Sequence, residues 1–192
     1  MNQRTTNFDE KAATWDEDPR RVTLANDVAD TIIREITPTH EMDVLDYGCG
    51  SGLVTLRIQP LVKSITGADN SKGMLDVIQK KIDTLKLKNV RTQFIHFEQG
   101  EKIEGTFHLI LSSMTLHHIP EPAPLLQQFY DLLLREGCLC IADLDTEDGT
   151  FHSDNTGVVQ FGFERTSIQS LFEKSGFRDV HGSTAATVVK ND

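Results

Sequence analysis

Apolar and polar positions along the chain switch between two periods. Short β-rich runs recur at 43–47, 64–69, 90–96, 107–113 and 137–144, and longer stretches with apolar residues three or four apart lie between them. Residues 22–36 carry Ala25, Ala29, Ile32, Ile33 and Ile36 at helical spacing, and Pro38 stops that pattern. The spacing predicts further helices over 52–58 before Pro60, over 71–87 with Met74, Ile78, Ile82 and Leu85 on one face, and over 122–135 with Leu125, Leu126, Phe129, Leu132 and Leu133. Thr166-Ser167-Ile168-Gln169 reads as a capping box that opens a last helix through Ile168, Leu171 and Phe172, with Gly176 as its stop. Helices separating strands are the pattern of βαβ units. The expected fold class is α/β: a doubly wound, mostly parallel sheet with helices on both faces.

At 192 residues one compact unit is the expectation, with 1–40 as an N-terminal cap of helices packing on a core domain of 41–192. No stretch approaches the roughly 18 apolar residues of a membrane span, and the start MNQRTTNFDE lacks a secretory apolar core, so a soluble cytoplasmic protein without membrane contact is expected. The formal charge of −10 argues against an extended nucleic-acid surface, which needs clustered Lys and Arg. Cys138 and Cys140 are too close on one strand to be bridged, and read as small packed hydrophobes. With no C-x-x-C and only His117-His118 as an imidazole pair, no metal site is expected.

The chemistry concentrates at the first strand-to-helix turn, Val44-Leu45-Asp46-Tyr47-Gly48-Cys49-Gly50-Ser51-Gly52. Parallel sheets bind ligands beyond the carboxyl ends of their strands, and glycine is needed where backbone turns sharply beneath a ligand. Alone, the turn is weak evidence, since a tight turn with no ligand looks the same. Asp69, 21 residues after Gly48, ends the second strand where a nucleoside-binding fold places the carboxylate that holds the ribose. The third glycine comes one residue early for G-x-G-x-x-G, and Asp46 lies two residues before the first, an unfavourable neighbour for a pyrophosphate. The same carboxylate favours a ligand with an ammonium and a sulfonium, as in S-adenosylmethionine. Cys49 lies near a helix N-terminus, where a thiol pKa can fall, but its expected role is to offer backbone.

These residues resemble the class I S-adenosylmethionine-dependent methyltransferases, in their small-molecule branch. The glycine turn is similar to the family's first motif, and Gly67-Ala68-Asp69-Asn70-Ser71 with Met74-Leu75 to its second. The stretch from Phe107 to Ser113 and on through Leu116-His117-His118-Ile119 resembles the fourth-strand motif, and Phe8-Asp9 with Ala12, Trp15 and Asp16 resembles the N-terminal cap. The resemblance implies S-adenosylmethionine as cofactor, S-adenosylhomocysteine as product, and a small-molecule acceptor. By the same resemblance Asp46, Gly48, Cys49 and Gly50 surround the methionine part, Asp69 holds the ribose, Asn70 and Met74 flank the adenine, and Ser112 and Ser113 form the floor beneath the sulfonium. The chain departs from the pattern at His96 and Phe97, where an acidic residue near the adenine is common, and at His108, where Asp is usual; a strand-start residue such as His108 reads as structural.

Methyl transfer needs chiefly proximity and orientation, with a general base only if the acceptor must lose a proton. His117 and His118 are the base candidates, although a lone histidine is more commonly polar surface or substrate wall. Phe8 and Trp15 read equally as core anchors or as a lid. The rival readings are an NAD-dependent oxidoreductase, and a cofactor-binding protein with little catalysis. At the C-terminus only residues 178–192 follow the last helix, too few for two good strands. One strand from the β-prone 184–190 is expected, giving six strands with the last missing or stunted, and an exposed sheet edge that favours a homo-oligomer.

Overall fold

The computed structural model describes residues 8–96 and 103–189, and Phe97 lies outside them. Five strands form one sheet: β1 Asp43–Tyr47, β2 Ser64–Asp69, β3 Val90–Phe94, β4 Phe107–Ser113 and β5 Leu133–Ala142, in the order β3-β2-β1-β4-β5. All four pairings are parallel. The helices are α1 Phe8–Lys11, α2 Pro19–Ile36, α3 Leu53–Ile58, α4 Lys72–Leu85, α5 Pro122–Leu132 and α6 Arg165–Lys174.

Alternation along the strands sends neighbouring side chains to opposite faces. Val44, Ile65, Leu109 and Leu111 join α2 (Val28, Ala29, Ile32), α3 (Val54, Ile58) and α4 (Leu75, Ile78, Ile82) in one apolar cluster. Leu45, Tyr47 and Ile110 join α5 (Leu125, Leu126, Phe129) in the other, with Ile168, Leu171 and Phe172 of α6 against it. Each large aliphatic side chain so buried contributes about 1.5–3 kcal/mol. Ile78 is fully buried and packed over the glycine turn, and its truncation to Ala would cost about 2–5 kcal/mol.

Local chemistry sets the helix ends. Asp18 caps α2 by accepting from Arg20 N, and Pro19 takes the first helical position, where its missing N–H costs nothing. Ser71 caps α4 by accepting from Met74 N. The cap of α6 is Glu164, not the box beginning at Thr166: its carboxylate accepts from Thr166 Oγ1, Thr166 N and Ser167 N, which hold its pKa down to about 2. Gly176, at φ +99°, does end that helix.

Three expectations fail, wholly or in part, at the fifth strand and beyond it. Helix α5 stops at Leu132, and Leu133 already pairs with Phe107 across a bulge, so tertiary pairing overrides the helical spacing of 122–135. Cys138 on this edge strand is exposed, so only Cys140, which packs against the first apolar cluster, fits the reading as a packed hydrophobe. No sixth strand forms among the described residues. Instead Ala185 packs against the α2 side of the core, and Thr184 accepts a hydrogen bond from Arg165 Nη2. Thr184-Ala185-Ala186-Thr187 has little side chain to lay on a pleated face, and alanine is a poor strand residue.

Candidate active site

Strand order reverses between β1 and β4, which opens a crevice at their carboxyl ends. The glycine turn leaves β1 on one side of it and a short 3₁₀ turn, Leu116–His118, follows β4 on the other. Ser112 closes the base by donating from Oγ to the Tyr47 carbonyl at 2.7 Å, and Ser113 beside it is half-buried.

The glycines of the turn differ in what they face. A Cβ on Gly48 would lie 2.1 Å from Thr115 Oγ1, and one on Gly52 would lie 2.5 Å from Ile78 Cδ1, so both are glycines because the fold packs against them. Among the described residues Gly50, at φ +53°, meets nothing nearer than Met74 Sδ at 4.0 Å. It opens onto space. Its N–H donates to Asp69 Oδ2 at 2.7 Å, while Ser71 N donates to Oδ1 at 2.8 Å. Burial raises the Asp69 pKa, and these backbone hydrogen bonds oppose the rise. Asn70 next to it is exposed, Met74 is buried, and His96 is exposed with its ring edge-on to Phe94 at 4.7 Å.

Asp46 lies beneath this surface, 1 % exposed, where its carboxylate accepts from Thr55 Oγ1. Burial, and secondarily the charge of Asp69, pushes its pKa up to about 7. The same burial raises the Cys49 thiol well above its ordinary value, so the helix terminus does not activate it. His108 donates nothing to the crevice: its Nδ1 accepts from Asp43 N at 3.1 Å at the opposite ends of the strands.

On the β4 side, His117 is fully buried and His118 half-buried. His117 Nδ1 lies 2.8 Å from Asp143 Oδ1, and its Nε2 is buried with no hydrogen-bond partner among the described residues. Facing a carboxylate, Nδ1 carries the hydrogen, which leaves the lone pair on Nε2. His118 Nδ1 donates to the Gly157 carbonyl at 2.9 Å; burial, and then His117, lowers its pKa. The ring of His152, from the connection after β5, lies 5.0 Å from His117. Thr115 joins the two sides, since it packs on Gly48 two residues before His117.

The N-terminal segment lies across both sides. Asp9 accepts from Ser71 Oγ at 2.5 Å and from Gly73 N at 2.8 Å, which lowers its pKa, and Asp16 accepts from Ser51 Oγ and pairs with Lys81. These contacts carry Phe8 to 5.5 Å from His118, edge-on, and 5.8 Å from Trp15. Both aromatic residues are half-buried, and Ala12 alone of α1 and the following 3₁₀ turn is fully buried. Asp143, His152 and the tether carboxylate-to-serine pairs were not singled out from sequence. A signal existed for Asp143, an acid at the end of the fifth strand as Asp69 is at the end of the second. None existed for His152, 35 residues from His117 in a loop without periodicity.

Residues 44–137 match the family described as methyltransferase domain. Those residues, just under half of the chain, are thus similar to a methyltransferase domain. It is 29 % identical over 188 residues to an uncharacterized methyltransferase of Schizosaccharomyces pombe, covering 89 % of this chain and 66 % of that one. It is 26 % identical to the mitochondrial ubiquinone biosynthesis O-methyltransferase of the same yeast, over 71 % of this chain and 53 % of that protein. The chain thus spans about half to two thirds of the length of these curated relatives. Among solved structures, a SAM-dependent methyltransferase from Aquifex aeolicus superposes with TM-score 0.71 at 21 % identity, covering 88 % of each chain. That likeness establishes the shared Rossmann-like fold of the methyltransferase domain. No described helix is long and apolar enough to cross a membrane.

Proposed function

We propose that this chain transfers a methyl group from S-adenosylmethionine to a hydroxyl oxygen of a small molecule. One observation carries the reading: Gly50 opens onto space edged by Met74 and by Asp69, at the switch point of the sheet. A nucleoside fits that chemistry. Asp69 retains acceptor capacity beyond its two backbone donors, enough to take a ribose hydroxyl, and Met74 offers an apolar, polarisable wall to a purine. Asn70, Cys49, Gly48 and His96 complete the proposed surround, and Ser112 and Ser113 the floor. Asp46, held near neutrality, would ionise more readily once a cationic methionine part arrives, which strengthens binding.

When bound, S-adenosylmethionine supplies a methyl carbon activated by positive sulfur. What the chain adds is position, water exclusion and a proton acceptor. His117, with Nε2 unpaired, is the proposed base, and an O–H acceptor is the kind that needs one; the relative named as an O-methyltransferase supports oxygen. Phe8 and Trp15 serve as the cover rather than the core, and His118 as a neutral wall. The test is a screen of hydroxy, amino and thiol compounds, 4-nitrocatechol among them, that follows S-adenosylhomocysteine formation. Turnover confined to hydroxyl compounds is expected; turnover confined to amines would overturn the oxygen assignment, and none across all classes would overturn catalysis.

A further inference from the structure

We infer that Asp143 is a positioning residue that fixes His117 in the tautomer whose Nε2 receives the acceptor's proton; this rests on the reading of His117 as the base. Asp143, at the end of β5, is 5 % exposed in its side chain. Its Oδ2 accepts from Leu116 N at 2.8 Å and His117 N at 3.3 Å, and its Oδ1 from Leu144 N at 2.8 Å. Those contacts are enough to hold the 3₁₀ turn. The contact to the imidazole, from Oδ1 at 2.8 Å, is additional and has a separate consequence. It commits the ring hydrogen to Nδ1, which leaves Nε2 as the free acceptor, and it places a carboxylate beside the imidazolium that forms when Nε2 takes a proton.

The groups facing His117 are consistent with that role. His118 stands on the same turn with its ring centroid 4.1 Å away, its pKa lowered by burial so that it does not place a cation beside His117 at neutral pH. His152 approaches from the connection between β5 and α6, and Asp143 from the strand. In the reaction the acceptor oxygen forms its bond to the methyl carbon as the carbon–sulfur bond breaks with its electron pair on sulfur. The oxygen's proton passes to His117 Nε2 and from there to water.

Asp143→Asn separates positioning from support. Its amide oxygen keeps accepting from Leu116 N and His117 N, while its NH₂ takes the place of Oδ1, gives up the Leu144 N contact and, facing Nδ1, imposes hydrogen on Nε2 instead. In ¹⁵N-imidazole NMR of the full chain, the wild type is expected to show hydrogen on Nδ1 of His117 and the variant on Nε2. With 4-nitrocatechol, kcat is expected to fall about 10²–10⁴-fold with both KM values within about twofold. A variant that reverses the tautomer yet keeps wild-type kcat overturns the positioning role, as does hydrogen on Nε2 in the wild type. His117→Asn tells the two readings apart: if it too keeps kcat, the base assignment itself is wrong, whereas its inactivity beside an active Asp143→Asn rejects positioning alone. If Asp143→Asn does not fold, Asp143→Glu carries the test through its NMR: retained hydrogen on Nδ1 supports the inference, and hydrogen on Nε2 beside that carboxylate overturns it.

Discussion

The two sides of the crevice are built in different ways. The glycine side is local: Asp46, Gly48, Gly50 and Asp69 fall within two consecutive strand ends, and the contacts of Asp69 run from backbone N–H to carboxylate. The histidine side is assembled from afar, with His117, Asp143 and His152 meeting only because β5 lies beside β4 and the following connection folds back over the turn. One side buries carboxyl groups whose pKa values rise; the other buries imidazoles, one of them with its pKa lowered. A binding site for a fixed cofactor can be written into a short segment, whereas an acceptor site depends on how distant elements dock.

Breaking the glycine side should have the largest effect. Gly50→Val is expected to abolish S-adenosylmethionine binding in calorimetry while circular dichroism stays native, because a side chain there fills the open space and strains a positive φ. Retained affinity would mean that this turn holds no ligand.

A smaller effect sharpens the electrostatic contrast. Burial gives Asp46 a folded pKa of about 7 against an ordinary value of 3.8. The folded state therefore holds this proton more tightly, so the stability the group contributes is full below about pH 4 and is lost as pH rises through about 7. Asp46→Asn lacks that loss. Its stability relative to wild type, from urea denaturation, is expected to rise from near zero at pH 4 to a few kcal/mol at pH 8, with about 4 kcal/mol as the linkage ceiling. A difference that stays flat across that range would show that Asp46 is ionised at ordinary pH in the folded chain.

The smallest effect concerns the contact between the covers of the two sides. Lys11 and Asp154 lie 3.9 Å apart and both are about half exposed. Lys11→Ala should change unfolding free energy by less than about 0.5 kcal/mol, because an exposed pair is screened and costs side-chain entropy. A loss above about 1 kcal/mol in the same denaturation would make that ion pair, rather than the Phe8–His118 ring contact, the closure of the crevice.

Strand ends and the glycine turn were legible because periodicity and turn chemistry are local. Three strands, 43–47, 64–69 and 107–113, begin and end where the sequence pattern places them. Failures fall where tertiary contacts decide. Leu133 satisfies a helical stripe but is drawn into pairing with Phe107, and the threonine–alanine tail lies against α2 instead of extending the sheet. At the site, Asp69 could be found from its spacing to Gly48. Asp143 could not be tied to His117 without knowing that β4 and β5 are neighbours, and the partners of Asp46 were hidden because Thr55 lies one helical turn beyond the motif.

The central claim is that S-adenosylmethionine binds on the glycine side, and titration calorimetry of the wild type, Asp69→Ala and His117→Asn with S-adenosylmethionine tests it most directly. The wild type is expected to bind saturably, Asp69→Ala to lose about 1.5–3 kcal/mol, as when hydrogen bonds to a charged group are removed, and His117→Asn to keep its affinity within about twofold. Wild-type affinity in a folded Asp69→Ala, or no binding of S-adenosylmethionine where NADH binds, would contradict it.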